Sequence, residues 1–270
     1  MNNYIAAIIQ GIVEGLTEFL PVSSTGHMIL VARLISFETD AAKVFEIFIQ
    51  LGAILAVAIY YRDRIASILK NWKASPFSAE KRLTLWHILA GMLPALVLGF
   101  LLHKTIKTRL FSPETVIIGL VIGGIFMIFA ERKQGEVKIK DIDDLSLSDC
   151  VKIGFFQCLA LWPGFSRSGA TIAGGLLLGA SHRSAADFSF ILAIPMMAAA
   201  TAYDLLKSHS ALSASDAGYF ATGFFTAFVV AWFAVVYFLK FLDRLKLTPF
   251  AWYRFTLAAF SAIVLYAYGK

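Results

Sequence analysis

Residues 14–27 read Glu-Gly-Leu-Thr-Glu-Phe-Leu-Pro-Val-Ser-Ser-Thr-Gly-His, a polar stretch in an otherwise apolar part of the chain. The chain has 270 residues, of which 59% are hydrophobic, whereas soluble domains contain roughly 45–50% apolar residues. This composition indicates an integral membrane protein. Polar and ionisable residues at membrane depth are costly and usually line a functional cavity or pathway. The stretch is therefore the first candidate for a functional site.

Outside this stretch, the chain contains six apolar segments long enough to cross a membrane. A crossing helix needs about 20 apolar residues, because the hydrocarbon core is about 30 Å thick. A β-barrel would show segments of alternating apolar and polar residues, whereas residues 220–239 are apolar on every face. We therefore predict an all-α polytopic membrane protein with six transmembrane helices. The predicted spans are residues 44–61, 86–102, 115–130, 188–206, 217–239 and 255–268.

The basic residues predict the orientation of these helices. The net charge of +6 does not indicate nucleic-acid binding, because the basic residues sit in short loops rather than in one patch with interleaved aromatic residues. Most of them lie in residues 62–85, 132–150 and 240–254, and the positive-inside rule puts these loops in the cytoplasm. Both termini are then expected on the outer face.

The chain, a single membrane domain over residues 1–270, reads as two related halves. The order of Gly, Pro and Ser residues in positions 11–26 returns in positions 154–169, and the residues around Phe45 are similar to those around Phe188. Each half contains one interrupted apolar segment followed by three full spans, so the second half must enter the membrane from the opposite side. We predict an inverted-topology repeat. The predicted repeats are residues 1–131 and 151–270, joined by a linker at 132–150.

The interrupted segments, residues 4–37 and 151–181, carry Pro, Gly and Ser at their centres. A continuous helix is disfavoured there. Irregular backbone at membrane depth is tolerated only where protein or a water-filled cavity satisfies its polar groups. We therefore predict two re-entrant helical hairpins whose tips meet.

Glu14 and Glu18 are four residues apart, so both carboxylates share one helix face. Two like charges in an apolar setting repel each other, and so either one is protonated or a cation, an arginine or a metal ion, lies between them. The alternative is a pair of acids facing headgroup water, but Pro21 and an apolar run follow directly. Glu46 and Gln50 share a helix face beside the site and are expected to support it.

The residues after the proline combine hydroxyls with an imidazole: Ser23, Ser24, Thr25 and His27. They precede an apolar run, so the hydroxyls lie at a helix N-terminus, whose free N–H groups and positive dipole end attract an anion. A serine beside a histidine is the minimum arrangement for an activated nucleophile. An ordinary N-cap accounts for one of the hydroxyls, but not for the imidazole.

The second interrupted segment carries Trp-Pro-Gly-Phe-Ser-Arg-Ser-Gly-Ala-Thr at residues 162–171. A guanidinium near the bilayer centre costs about 2.5–3.5 kcal/mol on insertion scales. Arg167 nevertheless offers a planar fork of donors that fits phosphate oxygens, and Ser166, Ser168 and Thr171 add donors around it. The alternative is that Arg167 only neutralises a glutamate in a structural ion pair, and the two roles can coexist.

The two motifs, together with Phe-Glu-Ile-Phe-Ile-Gln-Leu-Gly at residues 45–52, resemble the undecaprenyl-diphosphate phosphatase family, the bacterial bacitracin-resistance proteins. The resemblance extends over essentially the whole chain. It implies a plasma-membrane hydrolase that converts undecaprenyl diphosphate to undecaprenyl phosphate and phosphate, which recycles the lipid carrier of cell-wall synthesis. It also implies a site open to the outer face. The family's functional residues fall on Glu14, Glu18, Ser24, His27 and Arg167, with Ser23, Ser166 and Thr171 as neighbours.

The resemblance further implies a divalent cation, Mg²⁺ or Ca²⁺, which Glu14 and Glu18 would bind. The mechanistic hypothesis is that Arg167 and the helix N-termini hold the terminal phosphate and Ser24 attacks phosphorus. His27 would be the general base and then the general acid. The alternatives are that His27 itself attacks phosphorus or that water attacks it directly.

A transporter is the rival class of protein. Inverted repeats, broken helices and a polar site between them also occur in secondary carriers, and a polyprenyl-phosphate translocase would use the same Arg167. A carrier does not need Ser24 beside His27, which favours the hydrolase. The expected partners are a polyprenyl diphosphate and membrane lipids, not nucleic acid, and a homodimer is one alternative for the oligomeric state.

Overall fold

A computed structural model of the chain is built from α-helices. It describes residues 2–37, 40–77, 82–110, 112–208, 216–242 and 246–268. Short 3₁₀ helices at Ile142–Asp144 and Cys158–Leu161 accompany the α-helices. In chain order the α-helices of the described ranges are α1 (Asn3–Thr17), α2 (Ser24–Leu34), α3 (Asp40–Tyr60), α4 (Arg62–Lys70), α5 (Leu85–Arg109), α6 (Pro113–Lys133), α7 (Leu147–Gln157), α8 (Arg167–Leu177), α9 (His182–Ser208), α10 (Ala217–Phe241) and α11 (Thr248–Tyr268).

Five of the described helices, α5, α6, α9, α10 and α11, are long and apolar enough to cross a membrane. A sixth span is formed if Val44–Tyr60 is counted with Arg62–Lys70, to which it is joined at a bend of 74°. Large apolar side chains such as Phe100 and Ile263 are 78% and 65% exposed on these helices, as expected of surfaces that face lipid. The predicted all-α polytopic membrane protein is confirmed.

Two predicted span starts were wrong, because an apolar window misses the polar first turn of a helix, and one predicted loop contains a helix. The span predicted from residue 188 begins at His182, where the Ser181 hydroxyl accepts from the Ser184 N–H at 3.0 Å. The span predicted from residue 255 begins at Thr248, so the supposed loop residue Arg254 is helical. The predicted loop 62–85 starts with the helix α4.

The two interrupted segments form helical hairpins. In the first, α1 has 15 residues and α2 has 11, which gives lengths of about 22 Å and 16 Å at 1.5 Å per residue. In the second, α7 and α8 have 11 residues each. None of these helices alone reaches across a hydrocarbon core of about 30 Å. Each hairpin therefore turns back at its tip, as expected of a re-entrant segment.

Each hairpin packs against helices from the other half of the chain. The longest helix of the first hairpin, α1, lies along α10, whereas α7 lies along α5. The helix α3 packs on α9, and α6 packs on α11. An inverted repeat with a pseudo-two-fold axis produces these pairs, because α1 then corresponds to α7 and α5 to α10. The repeats stay a prediction, as does the linker at 132–150, whose two ends belong to α6 and α7 in the structure.

The second tip packs closely on α6. Gly164 has a φ of 92°, and a Cβ added there would overlap the carbonyl O of Val116. Only glycine combines this backbone conformation with so close an approach. The indole N–H of Trp162 donates to the carbonyl O of Thr115 at 2.9 Å. These contacts fix the height of the second tip against α6.

Candidate active site

The tip of the first hairpin holds Glu18 and Ser24 against each other. The helix α1 ends just before Glu18, and α2 begins at Ser24. Ser23 caps α2, because its hydroxyl accepts from the Gly26 N–H at 3.4 Å. The hydroxyl of Ser24 donates to Oε2 of Glu18 at 2.5 Å. The predicted helix N-terminus and its serine cap are thus found, with Ser24 bonded to a carboxylate.

The tip of the second hairpin has the same backbone geometry. Ser166 caps α8, because its hydroxyl accepts from the Gly169 N–H at 3.1 Å. The φ angles of Ser23 and Ser166 are 70° and 74°, and a non-glycine residue in this region costs about 1–3 kcal/mol. In both hairpins the strained serine directly precedes a candidate functional residue, Ser24 or Arg167. The strain sets the direction in which each helix leaves its tip.

Glu18 links the two tips. Its Oε1 accepts from Nη2 of Arg167 at 3.2 Å, while its Oε2 accepts from Ser24. The side chains of Glu18 and Arg167 are only 8% and 14% exposed, so the ion pair is largely removed from water. The hydroxyl of Ser168 adds a second cross-tip bond, to the carbonyl O of Leu20 at 2.9 Å. The two tips therefore meet at a carboxylate shared by a hydroxyl and a guanidinium.

The guanidinium of Arg167 is held on several sides. Nη1 donates to the carbonyl O of Ser189 at 3.1 Å, and Nη2 lies 3.3 Å from Sδ of Met197. The ring of Phe19 lies beneath it, with a centroid distance of 5.5 Å. Nε is buried and has no hydrogen-bond partner among the described residues. The group is fixed in place and retains donor capacity for an anion.

A polar cavity of about 150 Å³ adjoins the contact between the tips. The first residues of α2 and α8 line it, so the N-terminal ends of both helices face the same space. Such ends favour a negative charge. The cavity can therefore bind an anionic group beside a serine hydroxyl. Its lining residues are Glu18, Ser23, Ser24, Thr25, Gln50, Ala160, Trp162, Pro163, Gly164, Ser166, Arg167 and Met197.

Ser168 and Thr171, which the sequence predicts to bind phosphate, do not line this cavity. Both are 0% exposed. The hydroxyl of Thr171 donates to the carbonyl O of Arg167 at 2.9 Å and lies 2.6 Å from the hydroxyl of Ser189. Both hydroxyls therefore bond to other protein groups, because both residues lie on the packed side of α8. Both hydroxyls hold α8 and the other tip in this structure, and their contact with phosphate stays a prediction.

The expected hydrogen bond between Ser24 and His27 is absent from the described residues. Nδ1 of His27 lies 2.8 Å from the carbonyl O of Ser23, and Nε2 lies 2.8 Å from the Tyr253 hydroxyl. The ring bonds to the carbonyl four residues earlier, a local contact that a helical side chain reaches readily. Both ring nitrogens are thus engaged, and the hydroxyl of Ser24 is bonded to Glu18 instead.

Glu14 lies behind the cavity rather than in its lining. It is 1% exposed and within electrostatic range of Glu18, Glu46 and Arg167. Its Oε1 has no hydrogen-bond partner among the described residues, whereas both oxygens of Glu18 already accept hydrogen bonds. Glu46 is half-buried on α3, and Gln50 of the same helix reaches the cavity.

These carboxylates do not form a metal site built from protein alone. Over the described residues, no group of three or more His, Cys, Asp or Glu side chains could hold a metal ion. Glu14 and Glu18 differ in their surroundings, since only Glu18 reaches the cavity. Mg²⁺ is commonly held by one or two carboxylates together with substrate phosphates, so the absence of a group of three or more ligands among the described residues does not test the predicted divalent cation, which stays a prediction.

Sequence reasoning missed Ser189, Tyr253 and Arg254. The predicted repeat could have indicated Ser189. Matching Phe45 with Phe188 makes Ser189 the counterpart of Glu46, which was itself predicted to support the site. The other two carried none, since Arg254 was counted as a loop residue. Their contacts come from α11, far along the chain from either motif.

The fold and the site together define a polytopic α-helical membrane protein whose polar cavity combines an arginine, a carboxylate and a serine hydroxyl, a set suited to phosphate chemistry. The chain matches the family model described as bacitracin resistance protein BacA over residues 7–260. It belongs to this family, and the resemblance in its sequence motifs is confirmed.

Curated relatives are similar to this chain over nearly their full length. The protein named undecaprenyl-diphosphatase 1 of Bacillus anthracis is 53% identical over 266 residues, which cover 98% of this chain and 100% of the relative. The protein of the same name in a strain of Bacillus cereus is 54% identical over 258 residues, or 96% and 97% of the two chains. The comparison therefore concerns whole chains rather than a shared domain.

Proposed function

We propose that this protein is an undecaprenyl-diphosphatase, an integral membrane hydrolase that converts undecaprenyl diphosphate to undecaprenyl phosphate and phosphate. Relatives with that name match essentially the whole chain, and the family is described by bacitracin resistance. The observation that carries the proposal is Glu18, which accepts from both Ser24 and Arg167 beside a polar cavity. A carboxylate thus lies within hydrogen-bond distance of both a serine hydroxyl and a guanidinium, which supports their assignment as base, nucleophile and phosphate-binding group.

The terminal phosphate of the substrate occupies the cavity in this proposal. Arg167 supplies planar donors to its oxygens, and the N-terminal ends of α2 and α8 favour its negative charge. Ser23, Thr25 and Ser166 lie in the lining beside these groups. The same donors stabilise the charge that develops on the phosphoryl oxygens during transfer.

Ser24 is the nucleophile in this proposal. Its Oγ attacks the terminal phosphorus while Oε2 of Glu18 takes the hydroxyl proton. The bond between that phosphorus and the bridging oxygen breaks, and undecaprenyl phosphate leaves with the electron pair. Water then attacks the phosphorus of the phosphoserine, and the bond between phosphorus and Oγ of Ser24 breaks. One proton of the water moves to an oxygen of the departing phosphate, and Glu18 returns to Oγ the proton that it took in the first step. The hydrogen bond from Ser24 to Glu18 supports this assignment over one in which His27 is the base.

The proposal is tested with purified protein in detergent. We expect phosphate release from undecaprenyl diphosphate, and a phosphate group on Ser24 when the reaction is quenched and digested for mass spectrometry. Phosphate on His27 would identify that residue as the nucleophile, and turnover without a covalent species would favour direct attack by water. A folded protein that releases no phosphate would overturn the hydrolase and favour the translocase, which is measured between two compartments.

We also propose that both termini and the cavity face the outer side of a bacterial plasma membrane. Basic residues in α4 and at the end of α6, such as Lys70 and Lys133, support this orientation under the positive-inside rule. A membrane-impermeant thiol reagent on intact cells tests it. Asn3→Cys should be labelled, and Lys70→Cys should be labelled only after lysis.

The divalent cation and the homodimer belong to the proposal as properties to be measured. No step described above depends on the cation. Turnover in a chelator, followed by addition of Mg²⁺ or Ca²⁺, measures the requirement. Light scattering of the detergent-solubilised protein measures the oligomeric state.

A further inference from the structure

Arg254 on α11 is buried with no acidic partner. Its exposure is 0%, and none of the carboxylates in the described ranges forms an ion pair with it. Nε donates to the carbonyl O of Leu120 at 3.2 Å, and Nη2 donates to those of Gly119 at 3.1 Å and Gly164 at 2.8 Å. A buried charge without a counter-ion is costly, so these carbonyl bonds have to compensate for lost water.

The bonds of Arg254 join α6 to the second tip. Gly119 and Leu120 belong to α6, whereas Gly164 lies in the turn just before the strained cap Ser166. The fit is close, because a Cβ added to Gly123 of α6 would lie 2.6 Å from the carbonyl O of Phe165 and would also overlap the guanidinium of Arg254. The start of α8, and with it Arg167, is therefore held through Gly164.

The neighbouring residue, Tyr253, reaches the other tip. Its hydroxyl lies 2.8 Å from Nε2 of His27, whose Nδ1 lies 2.8 Å from the carbonyl O of Ser23. A carbonyl can only accept, so Nδ1 carries the proton. In the neutral ring Nε2 then accepts from the Tyr253 hydroxyl. The Ser23 carbonyl thus sets the tautomer, and Tyr253 donates to the other nitrogen and so holds the ring that bonds the strained residue directly before Ser24.

We propose that Tyr253 and Arg254, the α11 pair, are positioning residues that hold the two halves of the active site in register. Arg254 acts through the Gly164 carbonyl on Arg167, and Tyr253 acts through His27 and the Ser23 carbonyl on Ser24. Neither residue lines the cavity. The inference rests on the proposed hydrolase function for its kinetic test. On this view His27 is a positioning residue as well, which explains why both its nitrogens are engaged away from Ser24.

The kinetic test compares Tyr253→Phe with a matched aromatic change one residue away, Trp252→Phe, whose side chain is 63% exposed. Loss of one neutral hydrogen bond corresponds to about a fivefold change in a rate or equilibrium constant. We therefore expect Tyr253→Phe to lower kcat about fivefold, with KM and the melting temperature nearly unchanged. Trp252→Phe should leave kcat as in the wild type. Arg254→Lys should lower kcat by more than tenfold, because one ammonium cannot reach both α6 and Gly164.

A double-mutant cycle with His27→Gln separates positioning from general loss of structure. If Tyr253 acts through His27, the double variant is no slower than His27→Gln alone. Additive effects, or a kcat for Tyr253→Phe equal to that of Trp252→Phe, would overturn the proposal.

A spectroscopic measurement tests the pair independently of turnover. In ¹⁵N-histidine NMR of the purified protein, the His27 signal is assigned by its loss in His27→Gln. We expect Nε2 of His27 to show the ¹⁵N shift of a hydrogen-bonded acceptor in the wild type and that of a free imine nitrogen in Tyr253→Phe. An Nε2 shift that does not change would overturn the inference about Tyr253. Wild-type protein that releases no phosphate would instead count against the proposed function, while the NMR result would still decide the contact.

Discussion

Replacing Glu18 with glutamine tests the proposed base where the two tips meet. The amide keeps the size of the carboxylate but has one acceptor oxygen and no charge. It cannot accept from Ser24 and Arg167 together, as Glu18 does through its two oxygens. General-base catalysis contributes about 10²–10⁴-fold to a rate. We therefore expect Glu18→Gln to lower kcat by about 10³-fold.

The same change has a smaller effect on stability. Removing one partner of a buried ion pair costs about 3–5 kcal/mol, but the amide oxygen can still accept from Arg167, and a hydrogen bond to a charged group is worth about 1.5–3 kcal/mol. At the middle of both ranges the difference leaves a loss of about 2 kcal/mol in the free energy of unfolding. The variant should fold and melt cooperatively at a lower temperature, so a fall in kcat can be separated from unfolding.

The assay is phosphate release from undecaprenyl diphosphate in detergent, with kcat and KM measured separately beside a thermal melt. Glu114→Gln is the matched control, because it makes the same chemical change at an exposed position at the start of α6. The control should behave as the wild type. Near-normal turnover of Glu18→Gln would refute the assignment of Glu18 as the base, whatever its melting temperature.

Three further variants test the other parts of the site. Ser24→Ala should abolish both phosphate release and the covalent intermediate while the melt is little changed; an intermediate that persists would contradict the nucleophile. Arg167→Lys should lose most activity, because an ammonium lacks the planar pair of donors, and normal turnover would contradict this role. Ser168→Ala removes the hydrogen bond to the carbonyl O of Leu20 across the tips, which is worth about 1 kcal/mol. It should lower the melting temperature by a few degrees while kcat is largely retained. Lost activity in a stable variant would indicate that Ser168 binds phosphate.

The spans and the tips could be predicted because both follow from the cost of placing groups in a bilayer. Apolar runs mark the helices. The polar residues that interrupt them, such as Glu18 and Arg167, need polar partners or a water-filled cavity. The helix ends were less predictable. The first turns of α9 and α11 contain His182, Arg183 and Thr248, which lower the apolar score, although the fold satisfies them with partners from other elements.

The internal geometry of the site was only partly accessible from sequence. Ser24 and His27 are close along the chain, which suggested that they pair. The side-chain partner of His27 is instead Tyr253, 226 positions away, and nothing in the two motifs predicts this contact. Likewise, nothing in the sequence distinguishes Glu18, which reaches the cavity, from Glu14, which is sealed behind it. That difference depends on where α1 ends.

The link between Glu18 and Arg167 joins residues 149 positions apart, and this separation has a consequence during synthesis. A ribosome that has delivered only the first half has inserted Glu18, Ser24 and the start of α2, but not the guanidinium of Arg167. Under the proposed mechanism, such a nascent chain, like any fragment that ends before α8, should not hydrolyse the substrate. Hydrolysis would then begin only after the second hairpin is inserted, so activity would report that the two tips have met.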